Sequence, residues 1–562
     1  MEGISKKPQF DFRRMSFYQI WIRSFADGNG DGIGDLYGVY DKLDYLKSLG
    51  IDAIWFSPIY PSPNADYGYD ISDYKNIHPD YGTLEQFKKV LDKTHSLGLK
   101  VLLDLVINHT SDEHPWFIES CKSRDNPYSD YYIWRDPRFK KESKLPPNNW
   151  YSQFEGLAWE YCESREQYYL HVFARKQPDL NMDNPKVREE IVSIMRFWLD
   201  MGVDGFREDV INYISKTEHM PNGLPFIPSI NGLPYYKEGP NLLRYLSEYR
   251  RVASEYGAVQ IGEMPYTKAS HALDYIGGEN RVLDMLIQFD TTMADCFITE
   301  YLHHRFSLRK LKRAFSKWQR VLASDGWNAL YLENHDHPRV LSRYGNETFW
   351  RESGTMLAAS YIFQRGSPFI YQGQEIGMMN IHLASIDQYL DVVSKSAYHS
   401  LFRWEHPDKR LRRIYVSSRD SSRTPVQWTP GENAGFTTGT PWFYVNSNYP
   451  TVNAETEESD PDSILNFYRK CLALRKENET LLFGTYKEYK KLSSKVYLYE
   501  RALGNDRILV LCSFSDRPCR VRLPKPYRGL PSICLLSNYS EKPFDGTLQP
   551  YEAVLLRFTV AR

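Results

Sequence analysis

Carboxylates recur at the ends of apolar, strand-like runs along this chain. A buried strand that ends in an acid places that acid at the open edge of its sheet. When parallel strands close into a barrel, these ends converge on one pocket, so a parallel α/β barrel is the simplest arrangement. Several clustered carboxylates are the groups needed to cleave a glycosidic bond. The four segments are DLVINH at 104–109, GFREDV at 205–210, IGEM at 261–264 and ENHD at 333–336.

Strand-like and helix-like segments alternate along the chain. Each strand-like run ends in polar residues, and segments with helical periodicity lie between the runs. The predicted strands are 17–25, 51–58, 100–109, 203–210, 259–264, 283–290, 328–336 and 368–375. The predicted helices include 36–49, 83–97, 185–201, 241–256 and 308–323. This alternation predicts an α/β fold, a (β/α)8 TIM barrel.

Two connections are too long for simple loops and predict insertions. The segment 110–177 lacks a sustained helical period and is predicted to form a small domain, subdomain B, inserted after strand 3. A second insertion at about 378–440 follows strand 8 and is expected to border the pocket. Short β-type runs predict a C-terminal antiparallel β-sandwich domain over 482–562. The catalytic barrel then comprises 1–109 and 178–481.

The composition favours a neutral ligand. The chain has 70 Lys and Arg against 71 Asp and Glu, so we expect a small oligosaccharide substrate and neither nucleic acid nor membrane as a partner. The 15% aromatic content suits stacking on sugar rings, although barrel cores also use aromatic residues. A polar N-terminal segment and seven scattered cysteines predict a soluble cytoplasmic protein with reduced thiols. We expect a monomer or weak homo-oligomer and no organic cofactor.

Asp209 and Glu263 are the predicted catalytic pair. Retaining glycosidases use one carboxylate as nucleophile and a second carboxyl as proton donor. Residues two apart on a strand face the same side, so Arg207 should lie beside Asp209 and keep it ionised. Glu263 lies among apolar residues, which should raise its pKa and favour the acid form. Asp336 is predicted to offset positive charge that develops on the sugar ring.

Three further residues beside these acids carry predictions. His109 and His335 follow strands next to carboxylates and are expected to be neutral hydrogen-bonding groups. Glu208 lies between Arg207 and Asp209, and strand alternation should turn it away from the pocket, where we expect a charge paired in the barrel wall. If Glu208 instead faced Asp209, repulsion between the two carboxylates would raise one pKa.

This set of motifs resembles the α-amylase family of glycoside hydrolases, family 13. The chain also carries DYGYD at 66–70 and QPDLN at 177–181, and the second form resembles the oligo-1,6-glucosidase group of that family. The resemblance implies a retaining mechanism with Asp209 as nucleophile, Glu263 as acid and base, and Asp336 as stabiliser. The residues that it implies around the terminal glucose are Asp66, Tyr69, His109, Arg207, His335 and Arg423, with Phe173 as a pocket-wall aromatic.

A glycine-rich segment, DGNGDGIGD at 27–35, offers oxygen ligands at alternating positions. It begins like an EF-hand loop, but position twelve is Gly38, which supplies no carboxylate, so an EF-hand is not expected. In the resembling group a similar loop holds a structural metal, which implies Ca²⁺, or Mg²⁺, with a role in stability. The alternative is a polar turn without an ion. The implied ligands are Asp27, Asn29, Asp31, the Ile33 carbonyl and Asp35.

The residue after the nucleophile, Val210, bears on linkage. In the resembling group, valine here accompanies a preference for α-1,6 bonds, and alanine or threonine a preference for α-1,4 bonds. We therefore expect an exo-α-glucosidase that acts on short isomaltose-type sugars. Two alternatives are a broad α-1,4/α-1,6-glucosidase and a sucrose-active isomerase or transglucosylase, although the Arg-rich loop of sucrose isomerases is absent. A noncatalytic relative is disfavoured because all three carboxylates are present.

Overall fold

Eight parallel strands form a barrel at the centre of the molecule. The computed structural model describes residues 10–154, 156–224, 230–297, 299–490, 493–539 and 543–559. The barrel strands are β1 Phe17–Ile20, β2 Ala53–Phe56, β3 Lys100–Leu105, β4 Gly205–Glu208, β5 Val259–Glu263, β6 Met285–Ile287, β7 Ala329–Leu330 and β8 Ser367–Tyr371. They are hydrogen-bonded in the order β6-β5-β4-β3-β2-β1-β8-β7. A parallel bridge between Leu286 and Asn328 joins the two edges, so the predicted (β/α)8 barrel is confirmed.

The helices begin and end at residues that the sequence marks. Asp35 accepts a hydrogen bond from the Gly38 amide at the start of α1, and Gly50, with φ of 95°, ends it. Asn184 and Gly202 cap α4 in the same way. The longer helices are α1 Leu36–Leu49, α2 Leu84–Ser96, α3 Pro115–Lys122, α4 Pro185–Met201, α5 Leu242–Tyr256, α6 Leu308–Val321, α7 Trp350–Ile362, α8 Pro407–Ser417 and α9 Ile464–Glu477. The shorter helices are Leu233–Tyr236, Ala272–Ile276, Val340–Tyr344, Val392–Ser396, Ala454–Ser459 and Glu479–Phe483, with a π-helix at Ala397–Leu401.

The strands are shorter than the apolar runs that predicted them. Strand β4 ends at Glu208, so Asp209 begins the next loop, and β7 covers two residues of the predicted run 328–336. The apolar runs continue because the loops after the strands are also buried; Leu332, for example, has no exposed surface. The acids therefore lie at strand ends or in short buried loops fixed by the barrel.

The segment between β3 and β4 forms a separate layer over the barrel end. Besides α3 it contains antiparallel strands: Trp134–Arg135 pairs with Gln167–Leu170, which also pairs with Trp159–Cys162, and Arg138–Lys140 pairs with Ser143–Leu145. Another antiparallel pair, Cys296–Phe297 with Thr299–His303, follows β6. The bounds 110–177 and 378–440 for the two insertions stay predictions.

The C-terminal part is antiparallel β structure, as expected. Its five-stranded sheet contains Thr485–Glu488, Val496–Leu503, Asp506–Ser513, Ala553–Thr559 and Ile533–Ser537, in that spatial order. A two-stranded sheet, Cys519–Arg520 with Thr547–Leu548, shares an apolar cluster with it. The last predicted residues, 560–562, lie outside the described ones.

The barrel interior is packed with side chains and is not a channel. Phe17, Trp55, Leu102, Ile261 and Phe369 belong to one buried cluster inside the strands, and the rings of Phe17 and Phe369 stack at 4.5 Å. This cluster fills the interior of the barrel, and the polar site residues lie at the carboxyl ends of the strands. None of the helices formed by the described residues is long and apolar enough to cross a membrane.

Candidate active site

The guanidinium of Arg207 contacts three carboxylates near the ends of β3, β4 and β5. Arg207 is fully buried, and its Nη1 donates to Asp209 Oδ1 at 2.7 Å and to Asp104 Oδ1 at 2.8 Å. Its Nη2 contacts Glu263 Oε1. The inward orientation predicted for Arg207 and Asp209 is what the structure shows. Asp104 opens one of the acid-bearing segments but was not among the predicted site residues; its register partner on β4 is Arg207.

Asp209 and Glu263 hold protons more tightly than ordinary carboxyls. Burial raises the pKa of Asp209 well above its usual range; Arg207 opposes this effect, whereas Glu263 and Asp104 add to it. Burial likewise raises the pKa of Glu263, again against Arg207. The predicted effect of Arg207 is present, but burial and the neighbouring acids outweigh it, so Asp209 is less readily ionised than the sequence predicted. Because Glu263 is among the groups that raise the pKa of Asp209, ionisation of one carboxyl disfavours ionisation of the other.

Asp336 has the opposite electrostatic setting. Its Oδ1 accepts hydrogen bonds from Arg419 Nη1 and Arg423 Nη2, both at 3.1 Å, and its Oδ2 lies 3.0 Å from His335 Nε2. Burial alone would raise the pKa of Asp336, but His335 and the two arginines hold it well below its usual range. Asp336 therefore stays ionised, in contrast to Asp209 and Glu263, whose pKa values are raised.

Arg419 is a site residue that the sequence analysis missed. Its Nη2 lies 3.4 Å from Asp66 Oδ1 and 2.7 Å from Asp391 Oδ1, in addition to the bond to Asp336. The only signal in the sequence was a second arginine four residues before Arg423. Arg419 joins Asp66, from the loop after β2, to the segment after β8.

His109 and Gln177 complete the polar wall beside Asp66. Gln177 Nε2 donates to Asp66 Oδ2 at 3.2 Å and lies 3.1 Å from His109 Nε2. Burial lowers the pKa of His109 to about 4, so the imidazole is neutral at pH 7. The Phe173 ring lies 5.2 Å from the His109 ring. The Tyr69 ring stacks on His335 at 5.1 Å.

These residues face a cavity of about 850 Å³, which is in the range of small-molecule sites. The predicted residues that line it are Asp66, Tyr69, His109, Phe173, Asp209, Val210, Glu263 and Asp336. Arg207, His335 and Arg423 lie behind this surface and hold the carboxylates. The segment between β3 and β4 adds Tyr151, Ser152, Gln153, Phe154 and Gly156, and the segment after β8 adds Val393, Ser396, Ala397, Ser400, Leu401, Arg403 and Arg419.

Val210 occupies a strained backbone position on the cavity wall. Its φ of 34° and ψ of 42° lie in the left-handed region, which a β-branched residue rarely adopts. The Val210 amide points to Glu263 Oε2 at 3.4 Å, so the turn after Asp209 directs a backbone donor at the second carboxyl. Strain of this kind is typical of functional sites.

Glu208 points away from the cavity, as strand alternation predicts. Its Oε1 accepts a hydrogen bond from Gln260 Nε2 at 2.6 Å, so the partner is a neutral amide where a paired charge was expected. Burial raises the pKa of Glu208 to about 8. A carboxyl with this pKa is mostly protonated at pH 7, and it needs no cation in the barrel wall.

The loop proposed for a metal fits Ca²⁺ in its chemistry but only in part in its geometry. Asp27, Asn29, Asp31 and Asp35 are hard oxygen donors, and none of the three carboxylates makes an ion pair with a described Lys or Arg. However, Asp27 accepts four hydrogen bonds from neighbouring N–H and O–H groups. A bound ion would replace some of these hydrogen bonds.

A different acid, His and Cys cluster brings its ligand atoms within 4.8 Å of one another in the described structure: Asp295, Cys296 and His303. The Arg343 guanidinium already occupies a ligand direction there, 2.5 Å from Asp295 Oδ1. Burial would raise the pKa of Asp295, but Arg343 and His303 hold it low. The negative charge of Asp295 is therefore already paired with Arg343.

Clustered carboxylates at the end of a (β/α)8 barrel, facing a disaccharide-sized cavity, define a glycoside hydrolase. The model of the α-amylase catalytic domain matches residues 19–484. Over 547 residues the chain is 46% identical to the oligo-1,6-glucosidase of Parageobacillus thermoglucosidasius, covering 95% of this chain and 97% of that protein. The chain therefore belongs to the α-amylase family, glycoside hydrolase family 13, and to its oligo-1,6-glucosidase group.

Solved structures agree with this assignment. The trehalose-6-phosphate hydrolase of Bacillus licheniformis superposes with a TM-score of 0.93 at 39% identity, over 99% of this chain and all of that one. The isomaltulose synthase of Klebsiella sp. LX3 also gives a TM-score of 0.93, at 40% identity over 97% of this chain and 99% of that one. The fold is thus shared by enzymes with different named reactions.

Proposed function

We propose that this glucosidase is a retaining exo-enzyme that releases the terminal α-1,6-linked glucose of short isomalto-oligosaccharides. The observation that carries the proposal is the bridge that Arg207 makes between Asp209 and Glu263. Two carboxyl groups held by one guanidinium are close together, as in retaining glycosidases, where they are about 5–5.5 Å apart, and unlike the wider inverting arrangement.

The reaction then has two steps. Asp209 in its ionised form attacks the anomeric carbon and forms a glucosyl ester, while the Glu263 proton passes to the glycosidic oxygen and the C–O bond to the leaving sugar breaks. In the second step Glu263 takes a proton from water, the water oxygen attacks the anomeric carbon, and the ester bond to Asp209 breaks. Ionised Asp336 stabilises the positive charge on the ring in both steps.

Exo-action is supported by the polar wall. Asp66, His109, Arg419 and Asp336 offer charged and neutral hydrogen-bond partners from one side of the cavity, and Phe173 adds an apolar face. A terminal glucose presents hydroxyl groups to the first set and C–H groups to the second. The internal residues of a long chain would have no exit through this hydrogen-bonded wall.

The linkage preference is proposed to depend on Val210. It lines the cavity directly after Asp209, so its branched side chain narrows the approach to the nucleophile. We expect kcat/KM on isomaltose to exceed that on maltose, and Val210→Ala to shift the ratio toward maltose about tenfold. Hydrolysis rates on the two disaccharides measure this ratio. Equal rates in the unmodified enzyme would instead support a broad α-1,4/α-1,6-glucosidase.

A sucrose-active isomerase is the second candidate, because the isomaltulose synthase structure is as similar as the hydrolase structure. In that reaction a sugar hydroxyl, rather than water, resolves the glucosyl-enzyme. Product analysis on sucrose separates the two: isomaltulose or trehalulose supports the isomerase, whereas glucose with fructose supports the hydrolase.

We propose that the loop 27–35 binds Ca²⁺ and stabilises the fold. The Asp27 amide donates to the Phe436 carbonyl at 3.0 Å, so the loop ties the region after β1 to the segment after β8. Removal of Ca²⁺ with a chelator is expected to lower the unfolding temperature by about 2–4 °C, with recovery on Ca²⁺ addition, as measured by calorimetry. Asp31→Asn should remove the response, and a chelator without effect on the unmodified protein would rule out the ion.

Free thiols are typical of proteins in a reducing compartment, so we propose that the protein is located in the cytoplasm. Cys121, Cys162, Cys471, Cys512 and Cys519 form no disulfide. We also keep a monomer or weak homo-oligomer as the proposed state, which size-exclusion chromatography with light scattering measures.

A further inference from the structure

Two cysteines from distant parts of the chain meet on the surface of the segment between β3 and β4. Cys121 lies in the last turn of α3, and Cys162 ends the strand Trp159–Cys162. The residues are 41 positions apart, yet Cys162 Sγ lies 3.9 Å from the Cys121 carbonyl oxygen, and the Ser164 hydroxyl donates to the same carbonyl at 2.8 Å. Both side chains are partly exposed, so small solutes reach them.

The turn after Cys162 is built to hold a thiolate. The Ser164 hydroxyl lies 3.3 Å from Cys162 Sγ, and Ser164 and Arg165 directly follow Cys162 and Glu163 in the turn. Interaction with the Cys121 thiol lowers the pKa of Cys162 to about 5; burial opposes this shift, and polar groups of Ser164 and Arg165 add to it. The same interaction raises the pKa of Cys121. One thiol is therefore ionised at pH 7 and the other keeps its proton.

A fixed positive charge accompanies the pair. Arg165 Nη1 donates to the carbonyl oxygens of Ser120 at 2.7 Å and Ser123 at 3.0 Å, and its guanidinium lies over the Trp134 ring at 4.4 Å. These contacts hold the cation beside the end of α3. Reactive cysteines are characterised by such partly exposed, electropositive surroundings and by a second thiol within reach.

We propose that Cys162 and Cys121 form a peroxide-sensitive redox site, in which Cys162 is the reactive thiolate and Cys121 the resolving thiol. The Cys162 sulfur attacks one oxygen of hydrogen peroxide, the O–O bond breaks, and the hydroxide that leaves takes a proton to become water, which leaves a sulfenic acid. Cys121 then loses its proton, its sulfur attacks Cys162 Sγ, and the S–O bond breaks to release a second water. Overall two thiols are oxidised to one disulfide and one peroxide is reduced to two waters.

The disulfide would join α3 to the hairpin that supports one side of the cavity. Trp159, on the same strand as Cys162, and Ala158, just before that strand, belong to one buried cluster with Phe173 and Val210 of the cavity wall. The cysteines do not line the cavity. A cross-link there restricts the unfolded and partly unfolded conformations of this segment. The disulfide therefore stabilises the folded segment and takes no part in glycoside hydrolysis.

The test is oxidation of the reduced full-length protein with stoichiometric hydrogen peroxide at pH 7, followed by peptide mapping. We expect a Cys121–Cys162 disulfide, with the loss of two hydrogens in mass, to form at least about tenfold faster than oxidation of Cys519, a partly exposed cysteine on a C-terminal strand. Cys121→Ser should leave a sulfenic acid on Cys162 that dimedone traps, and Cys162→Ser should leave Cys121 reduced.

The disulfide is also expected to raise the unfolding temperature by about 2–4 °C, reversibly with a dithiol reductant, and only in the unmodified protein. Both serine variants should hydrolyse their substrate as the unmodified enzyme does. The proposal would be overturned if Cys162 were oxidised no faster than Cys519. It would also be overturned if Cys162 formed a sulfenic acid but no disulfide with Cys121.

Discussion

Replacement of Asp209 by alanine is expected to reduce kcat on isomaltose by about 10⁴-fold or more, because the covalent route has no other nucleophile. The neighbouring acids do not substitute for it: Asp104 accepts a hydrogen bond from Arg207 and does not line the cavity, and Asp336 accepts hydrogen bonds from two arginines. Steady-state hydrolysis measures the loss, and circular dichroism shows that the barrel is intact.

Glu208→Gln is the matched control for Asp209→Ala. Glu208 is adjacent in the chain and also buried, but it accepts a hydrogen bond from Gln260 and does not line the cavity. Since its carboxyl is mostly protonated at pH 7, an amide of the same shape should leave kcat within about twofold. Azide added to Asp209→Ala should restore turnover and give β-glucosyl azide, since the small anion occupies the nucleophile's place. An Asp209→Ala enzyme that keeps its activity, or that makes the α-azide, would contradict the covalent mechanism.

The barrel could be predicted from the sequence because the signals that define its strands and helices are local. Strand ends, helix caps such as Asp35 and Gly50, and the 3.6-residue period are each visible within a few residues. The bounds of helix α1 agree with the prediction to the residue. Strand ends were less predictable: the run 328–336 stays apolar after β7 has ended, because the loop that follows is buried by other parts of the chain.

The site was predictable where residues follow strands and not where they arrive from distant segments. Asp209 directly follows β4, and Glu263 is the last residue of β5. Arg419 contacts Asp66 across 353 positions of sequence, and no local pattern predicts which arginine of the segment after β8 reaches the cavity. The protonation of the pair was also out of reach, since it depends on how many carboxylates share Arg207 and on how deeply they are buried.

Glu263→Gln is expected to separate the two chemical steps. The amide keeps the shape of Glu263 but has no proton to give, so kcat/KM on isomaltose, whose leaving group needs protonation, should fall about 10³-fold. A dinitrophenyl α-glucoside needs no acid, so the first step should remain fast with this substrate. The second step lacks its base, and the enzyme should accumulate with one glucosyl unit on the Asp209 peptide, which mass spectrometry detects.

The pH profile provides an independent check on Glu263. Burial raises its pKa, so Glu263 keeps its proton at pH values above the ordinary carboxyl range and loses it as the pH rises further. In the unmodified enzyme kcat/KM on isomaltose should therefore fall on the alkaline side, and in Glu263→Gln that fall should disappear. Equal losses on isomaltose and the dinitrophenyl glucoside, with the alkaline limb unchanged, would assign the proton transfer to another residue. Asp336 is a poor alternative donor, because His335 and two arginines keep it ionised.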